Sequence, residues 1–555
     1  MAPIPVVVKH QGTKYNVEVD PETTGEVFKF QLYSLTGVEP ERQKVMLRSM
    51  LKDDVPMSNY KLKPGQQILM IGTPSSEGKD LVRPSEKVKF VEDMTEAEAA
   101  QQEGAIPAGL SNLGNTCYLN STLQALRAIP ELQDALIKYE PQSAGATGTL
   151  PQLDLTRQLR DTYKYMSETQ DTYVPHAFLT SLRNLYPQFA ERSRTGAGYA
   201  QQDAEEAWSQ ILSQVRQKLR IQDATDTTSN SSFIEKYMSG EFTSELVCDE
   251  EGGEQPVAGK DAFLKLNCHI DATTNHLRDG IVNGLKEKLE KRSEVLGRDA
   301  TYTKTSKISR LPKYLTVHFV RFFWKRETQK KAKIMRKVIF PHELDVVEFC
   351  DDNLKKLLVP VRDKVREVRK EEEDVERTRK RRKRNGDSGD DVPEVANPKK
   401  KDDKKKDDKK EAGTSADGDV EMAETYKTDA EIDAERAAQV LAMKKELNAL
   451  IDPELAKDDG ANQSGLYELR GVVTHQGASA DSGHYTAYVK KTAPVDPKTG
   501  KRTEEDGKWW WFNDDKVSEV TADKIEALAG GGESHSALIL LYKAIPLPTA
   551  EGTLE

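Results

Sequence analysis

The stretch Gly109–Leu126, "GLSNLGNTCYLNSTLQAL", sets a lone cysteine where a glycine- and asparagine-rich loop gives way to a helical run. After Cys117, "YLNSTLQALRAIPEL" spaces Leu119, Leu123, Leu126 and Ile129 on one helical face, with Pro130 near the helix end. Cys117 then opens the helix, where unpaired N–H groups and the macrodipole favour a thiolate. A free thiol titrates near about 8.5, and such a setting lowers it. The position suits a nucleophile. It also suits a small buried hydrophobe, since cysteine is among the most buried residue types.

A thiolate nucleophile needs a base and a group that orients the base, usually far away in sequence. With nine histidines in the chain, one histidine alone means little. "GVVTHQGASADSGHYTAYVKK" offers His475 and His484. His484 follows Gly483 and opens the alternating run "HYTAYV", which places its imidazole at a loop–strand edge. After a polar loop, "KWWWFNDDKVSEV" reads as the returning strand, ending in Asn513, Asp514 and Asp515. That hairpin brings Asn513 back near His484. A side-chain oxygen there accepts from one ring nitrogen and leaves the other for the thiol.

The 555 residues are too many for one ordinary domain. Hydrophobic content of 36% and charged content of 31% describe a globular protein diluted by a polar stretch. A net charge of −10 argues against general nucleic-acid affinity. The start "MAPIPVVVKHQG" lacks the pattern of a signal peptide, and no run of about 18 apolar residues suggests a membrane span. Cys117, Cys248, Cys268 and Cys350 are scattered without a CxxC pair, so neither a disulfide framework nor a four-cysteine zinc site is expected. The expectation is a soluble intracellular protein with reduced thiols.

Residues 4–9 and 14–19 read as a hairpin across "HQG". A helix over "TTGEVFKFQLYSLTGV" follows, with Val27, Phe28, Leu32 and Leu35 on one face and Gly37 as its stop. "QKVMLRSML" and "QQILMIGT" read as further strands, completing a β-grasp order over residues 4–73. This segment resembles ubiquitin, but it runs into "GTPSSEGK" without the terminal diglycine of conjugation. The resemblance implies a built-in docking module. Met46 and Ile71 fall where ubiquitin carries an exposed apolar patch; placement as ordinary core residues is equally open. Residues 74–104 read as a linker, and a large second unit spans 105–545. Inside it, 362–460 contains "RTRKRRKRNG", "KKKDDKKKDDKKE" and "AGTSADGD" and reads as a disordered charged insertion, with a helix over "DAEIDAERAAQVLAMKKELNALI". The cluster Arg379–Arg384 is a localisation signal, an anion-binding arm or a solvated charge run.

"GLSNLGNTCYLNSTLQAL", "YAQQDAEEAW", "GLYELRGVVTHQG", "DSGHYTAYVK" and "WWWFNDDKVSEV" resemble, in order, the signature boxes of the ubiquitin-specific proteases. With the ubiquitin-like segment ahead of them, the chain is similar to the proteasome-associated branch of that family. The resemblance implies an α+β fold: a β-grasp domain, then a papain-like catalytic domain with the charged insertion. It implies Cys117 as nucleophile, His484 as general base and then acid, and Asn513 as the residue orienting His484. Many relatives have aspartate at the Asn513 position, so Asp514 is a candidate to share that role. Asn112 matches the oxyanion-hole side chain. Gln202 and Asp203 match the box that meets ubiquitin's tail, although Asp203 also suits a helix N-cap before "AEEAWSQIL". Tyr485 is counted with them as substrate-facing. "THQGASADSG", residues 474–483, corresponds to a loop flanking the cleft. Relatives often bind zinc through two CxxC pairs; here Cys248 and Cys268 are too few, and no metal or other cofactor is expected. Residues 317–325 and 509–512 read as core strands, with Phe322 or Phe323 as secondary candidates for a ubiquitin contact.

The implied activity is cysteine-dependent hydrolysis of the isopeptide or peptide bond after ubiquitin's last glycine. The implied partners are ubiquitin, ubiquitinated proteins and the proteasome regulatory particle, the last reached through residues 4–73. No membrane and no nucleic-acid partner are expected, the free protein is expected to be a monomer, and its location cytoplasmic and nuclear. The alternative is a ubiquitin-binding regulator of the proteasome in which hydrolysis is minor.

Overall fold

A computed structural model describes residues 3–10, 13–47, 50–72, 95–100, 105–141, 153–193, 198–222, 230–327, 330–386, 429–480, 482–493 and 505–553. The chain divides into two units, Met1–Glu92 and Asp93–Glu555.

In the first unit, β1 (Ile4–His10), β2 (Thr13–Val19), β3 (Lys44–Met46) and β4 (Gln66–Ile71) form one sheet in the order β2-β1-β4-β3. β1 and β4 run parallel, and the other pairs are antiparallel. Alternation sends Val6, Val8, Val17, Val19, Ile68 and Met70 inward against Phe28 and Leu32 of helix α1 (Gly25–Thr36). Gly37, in the left-handed region, ends the helix. Two expectations need correction. Val27 and Leu35 lie on the outer face of α1, because the core takes the stripe of Gly25, Phe28, Lys29 and Leu32. The strand expected over "QKVMLRSML" shortens to three residues. Met46, Leu69 and Ile71 are exposed on the sheet. Most of the expected linker 74–104 lies outside the described residues, which include there Thr95 and the helical turn Glu96–Ala100.

The second unit is built around α2 (Cys117–Leu126), which is buried along its whole length. It packs on one side against α6 (Ala204–Lys218), within a helical lobe that includes α3 (Pro130–Ile137), α4 (Leu155–Ser167) and α5 (His176–Leu185). Its other side meets β16 (Leu466–Ser479) and β17 (Ser482–Lys490). Ser121 and Thr122 donate to Tyr118 O, Gln124 donates to Ala108 O, and Asn120 donates to Asp514. These bonds allow polar residues to enter a core. Pro130 opens α3 at its first turn rather than trailing the preceding helix.

The large sheet runs β19-β18-β17-β16-β20-β12-β9, with β19 (Lys516–Val520), β18 (Trp509–Asn513), β20 (Ser536–Ala544), β12 (Tyr314–Val320) and β9 (Leu266–His269). The short strands β13 (Phe322–Lys325), β14 (Lys330–Lys333) and β15 (Glu343–Asp345) join at its margin. A separate antiparallel sheet has the order β10-β11-β7-β8, from β7 (Gly240–Cys248), β8 (Val257–Phe263), β10 (Lys286–Arg292) and β11 (Asp299–Arg310). β5 (Arg220–Gln222) and β6 (Asn230–Ser232) make a small ribbon. Cys248 and Cys268 thus belong to different sheets, and no metal-holding group of three or more His, Cys, Asp or Glu side chains occurs among the described residues.

The insertion expected to be disordered over 362–460 is partly folded. α7 (Asp352–Gly386) runs into it as far as Gly386, and α8 (Asp429–Ala449) packs back against α7. Val361, Val365, Val368 and Leu447 close a small core with Leu466 and Ile545. The apolar residues of α7 recur at helical spacing amid charges, so mean composition concealed the stripe. Residues 387–428 lie outside the described residues. Among those described, no helix is long and apolar enough to cross a membrane.

Candidate active site

Three segments converge at the N-terminal end of α2. The loop before it turns through Gly114 and Asn115, both with positive φ. Asn112 Oδ1 accepts from the amides of Gly114 (2.9 Å) and Thr116 (3.3 Å), and Leu113 N donates to Thr116 Oγ1 (2.9 Å). The turn is therefore set by short polar side chains that replace backbone partners. A Cβ at Gly109 would lie 2.4 Å from Asp515 O, so this glycine lets the loop touch the far end of β18.

β16 and β17 supply the second segment. Their hairpin pairs His475 with Tyr485 and Gln476 with His484, then shifts register before Ser479 meets Ser482. The stretch 474–483, expected as a loop, is thus mostly ladder. Gly483 has φ +130°, and a Cβ there would sit 2.1 Å from Gln476 O. The glycine is what allows the strand to tighten beside His484.

β18 supplies the third segment. Its register opposite β17, with Ala487 facing Phe512, carries Asn513 to the face that His484 shares. His484 Nε2 lies 2.5 Å from Asn513 Oδ1. Since the amide oxygen only accepts, Nε2 carries the proton and Nδ1 keeps a free lone pair.

Cys117 is 3% exposed, and no hydrogen bond joins its sulfur to His484. The Tyr485 amide, next along the chain from His484, points at the sulfur. Burial nevertheless dominates and pushes the thiol up to about 11, helped by the Asp514 carboxylate; the Tyr485, Tyr118 and Cys117 amides pull the other way. The thiolate expected from helix position alone is overridden, because desolvation outweighs the helix end.

Asp514 does not reach His484. Its carboxylate accepts from Asn112 Nδ2 (2.9 Å) and Asn120 Nδ2 (2.7 Å), and its carbonyl accepts from Leu110 N (2.9 Å). A φ of +52° at Asp514 turns its side chain away from β17 toward the cysteine loop. Asn112 keeps a second amide hydrogen for another acceptor. Tyr485 also departs from expectation. Strand alternation sends its ring into the core against His475 while His484 stays partly exposed, so the Tyr485 side chain, 0% exposed, is not placed to face a bound chain. Asp203 caps α6, accepting from Glu205 N (2.9 Å), and burial raises its carboxyl to about 6. Gln202 precedes it and is half-buried. Phe323 and Trp324 are exposed on the β13–β14 hairpin, whose second strand pairs with Ser479 at Ala332. Sequence reading missed Asn120 and His535, which meets the His484 ring edge-on at 6.3 Å between centroids. Asn120 lies inside the first quoted box but was given no role there, and no motif marks His535.

The arrangement offers a nucleophile, an oriented imidazole and amide donors for a developing oxyanion, all beside one helix end. A family model described as ubiquitin carboxyl-terminal hydrolase matches residues 108–542, and a ubiquitin family model matches 6–75. Ubiquitin carboxyl-terminal hydrolase 6 of Schizosaccharomyces pombe is 44% identical, covering 98% of this chain and 99% of its own length. A protein of the same name from Arabidopsis thaliana is 36% identical over 95% of this chain and 96% of its own. Ubiquitin carboxyl-terminal hydrolase 14 of Caenorhabditis elegans is 31% identical over 98% and 94%.

Proposed function

The chain belongs to the ubiquitin carboxyl-terminal hydrolase family and is a cysteine deubiquitinase with an N-terminal ubiquitin-like domain; from this we propose that it cleaves after ubiquitin's last glycine through Cys117, His484 and Asn513. His484 Nδ1 takes the thiol proton, and the sulfur attacks the glycine carbonyl. Asn112 and the Cys117 amide hold the oxyanion, and the same proton leaves on the departing amine. Water then releases ubiquitin from the thioester. Gln202 and Asp203 stand at the start of α6 as candidates to meet the basic tail of ubiquitin.

The observation that carries this reading is the 2.5 Å contact of His484 Nε2 with Asn513 Oδ1, beside a strand whose next amide points at Cys117. The test is release of a fluorogenic amine from ubiquitin's C-terminus. Cys117→Ala and His484→Ala should abolish turnover while ubiquitin binding persists. Turnover surviving in Cys117→Ala sinks the assignment.

The finer biological reading is that the ubiquitin-like unit docks on the proteasome regulatory particle, where the enzyme trims chains from arriving substrates. Its support is the exposed apolar set Met46, Leu69 and Ile71, at 44%, 48% and 55% exposure. This reading locates the enzyme in the cytoplasm and nucleus. A second reading, a ubiquitin-binding regulator with minor hydrolysis, draws on the burial of Cys117. Turnover that stays negligible in the presence of proteasomes would favour that second reading.

A further inference from the structure

We infer that His535 is a positioning residue for the hydrolysis: its ring, fastened to Thr474, stands edge-on to His484 and holds that imidazole in the orientation Asn513 selects. The inference rests on the proposed role of His484 as base.

One hydrogen bond at Nε2 fixes a single atom of an imidazole and leaves the ring free to swing about that point. His535 closes this freedom from a second direction, with ring centroids 6.3 Å apart and planes at 72°. Its own ring is held by Nδ1 against Thr474 Oγ1 (3.1 Å), and Thr474 Oγ1 in turn lies 2.8 Å from Thr486 Oγ1. Thr474 and Thr486 pair across β16 and β17, so the support reaches the strand that carries His484.

The loop that presents His535 is itself anchored. Arg321, 1% exposed, donates to Ala529 O (3.2 Å) before the loop and to Ala537 O (2.9 Å) after it, with further bonds to Ile334 O and Arg336 O. Gly477 N donates to Glu533 O (2.8 Å), tying the loop to β16. A guanidinium satisfied wholly by carbonyls makes a rigid frame.

The charged and titratable neighbours of His535 are His484 on β17, His475 on β16 and Lys333 on β14, with Glu533 on its own loop. Burial, then His484 and Lys333, hold its ring down to about 4. Near neutral pH it is uncharged. It neither competes for the thiol proton nor repels the imidazolium that His484 becomes.

The test uses the full chain and the ubiquitin C-terminal fluorogenic amide. His535→Ala should lower kcat about tenfold with KM changed less than about twofold, because a loosened base loses near-attack geometry without losing ubiquitin contacts. His535→Phe restores a flat ring edge but not the bond to Thr474, and should recover part of the lost kcat, at least about threefold over His535→Ala. Thermal midpoints of both variants should stay within about 3 °C of wild type. A kcat for His535→Ala within twofold of wild type overturns the inference, as does a loss confined to KM or a Phe variant no better than Ala. His484→Ala runs alongside. If it turns over like wild type, the base assignment falls and takes this inference with it. If it is inactive while His535→Ala keeps wild-type kcat, only this inference falls.

Discussion

A thiol at the first position of α2 feels two opposing influences, the partial positive charge of the helix end and the loss of water around it. The helix end is worth up to about 2 kcal/mol for an anion in a favourable, partly buried site. Displacement of the thiol from 9.0 to about 11 is a net cost of about 3 kcal/mol for ionising Cys117. Burial wins, which favours the neutral thiol and leaves its proton for His484 to remove. Alkylation of Cys117 by a small electrophile at pH 7.5 should therefore run at least about a hundredfold slower than for a model thiol, and rise with pH up to 9.5. A rate already level above pH 7 would contradict this. Asp514 adds to the upward push, so Asp514→Asn should speed alkylation at pH 7.5. The same variant should slow hydrolysis, because Asn112 and Asn120 lose their charged acceptor. Cys117, His484 and Asn513 were legible in the sequence because each stands at an end of a periodic element. His535 was not. Its relation to His484 arises only when β20 is laid beside β16, and no spacing rule links the two.

Element boundaries carry the next level of control. Asp203 closes the N-terminus of α6, and its own burial raises its carboxyl. Its folded pKa of about 6 lies above the ordinary 3.8, so the charge is penalised in the folded state. That penalty is absent below pH 4, grows between pH 4 and 6, and is complete above pH 6. Asp203→Asn keeps a good cap and removes the charge. It should match wild type in stability at pH 4 and exceed it at pH 7 in urea unfolding. Asp203→Ala loses the cap and should cost about 1 kcal/mol at both pH values. Equal stability of Asn and wild type at pH 7 would show that the carboxylate is not penalised. Both the capping and the tail-binding readings of Asp203 were open in the sequence, and the geometry realises the cap while leaving the carboxylate at the start of α6. Tyr485 was misplaced for a different reason: counting residues near His484 ignored that a strand turns alternate side chains to opposite faces.

Across the molecule, the two units and the five boxes were readable from composition and order, whereas the folded share of the charged insertion was not. Thin apolar stripes on α7 and α8 are diluted by charge until the partner face is in view. Their burial predicts that Val365→Asp places an unpaired carboxylate against Leu447, Leu466 and Ile545, and destabilises the second unit by about 3 kcal/mol. Unchanged thermal unfolding of that variant would show the helical pair to be an appendage. Deleting 362–460 outright should likewise cost stability, since it uncovers Leu466 and Ile545. The most direct trial of the whole account is the intact mass of the full chain after exposure to ubiquitin bearing a C-terminal electrophile. The account predicts a gain of one ubiquitin, attached at Cys117, lost in Cys117→Ala and strongly slowed in His484→Ala. Undiminished adduct formation in Cys117→Ala, or attachment at Cys248, Cys268 or Cys350, would contradict it.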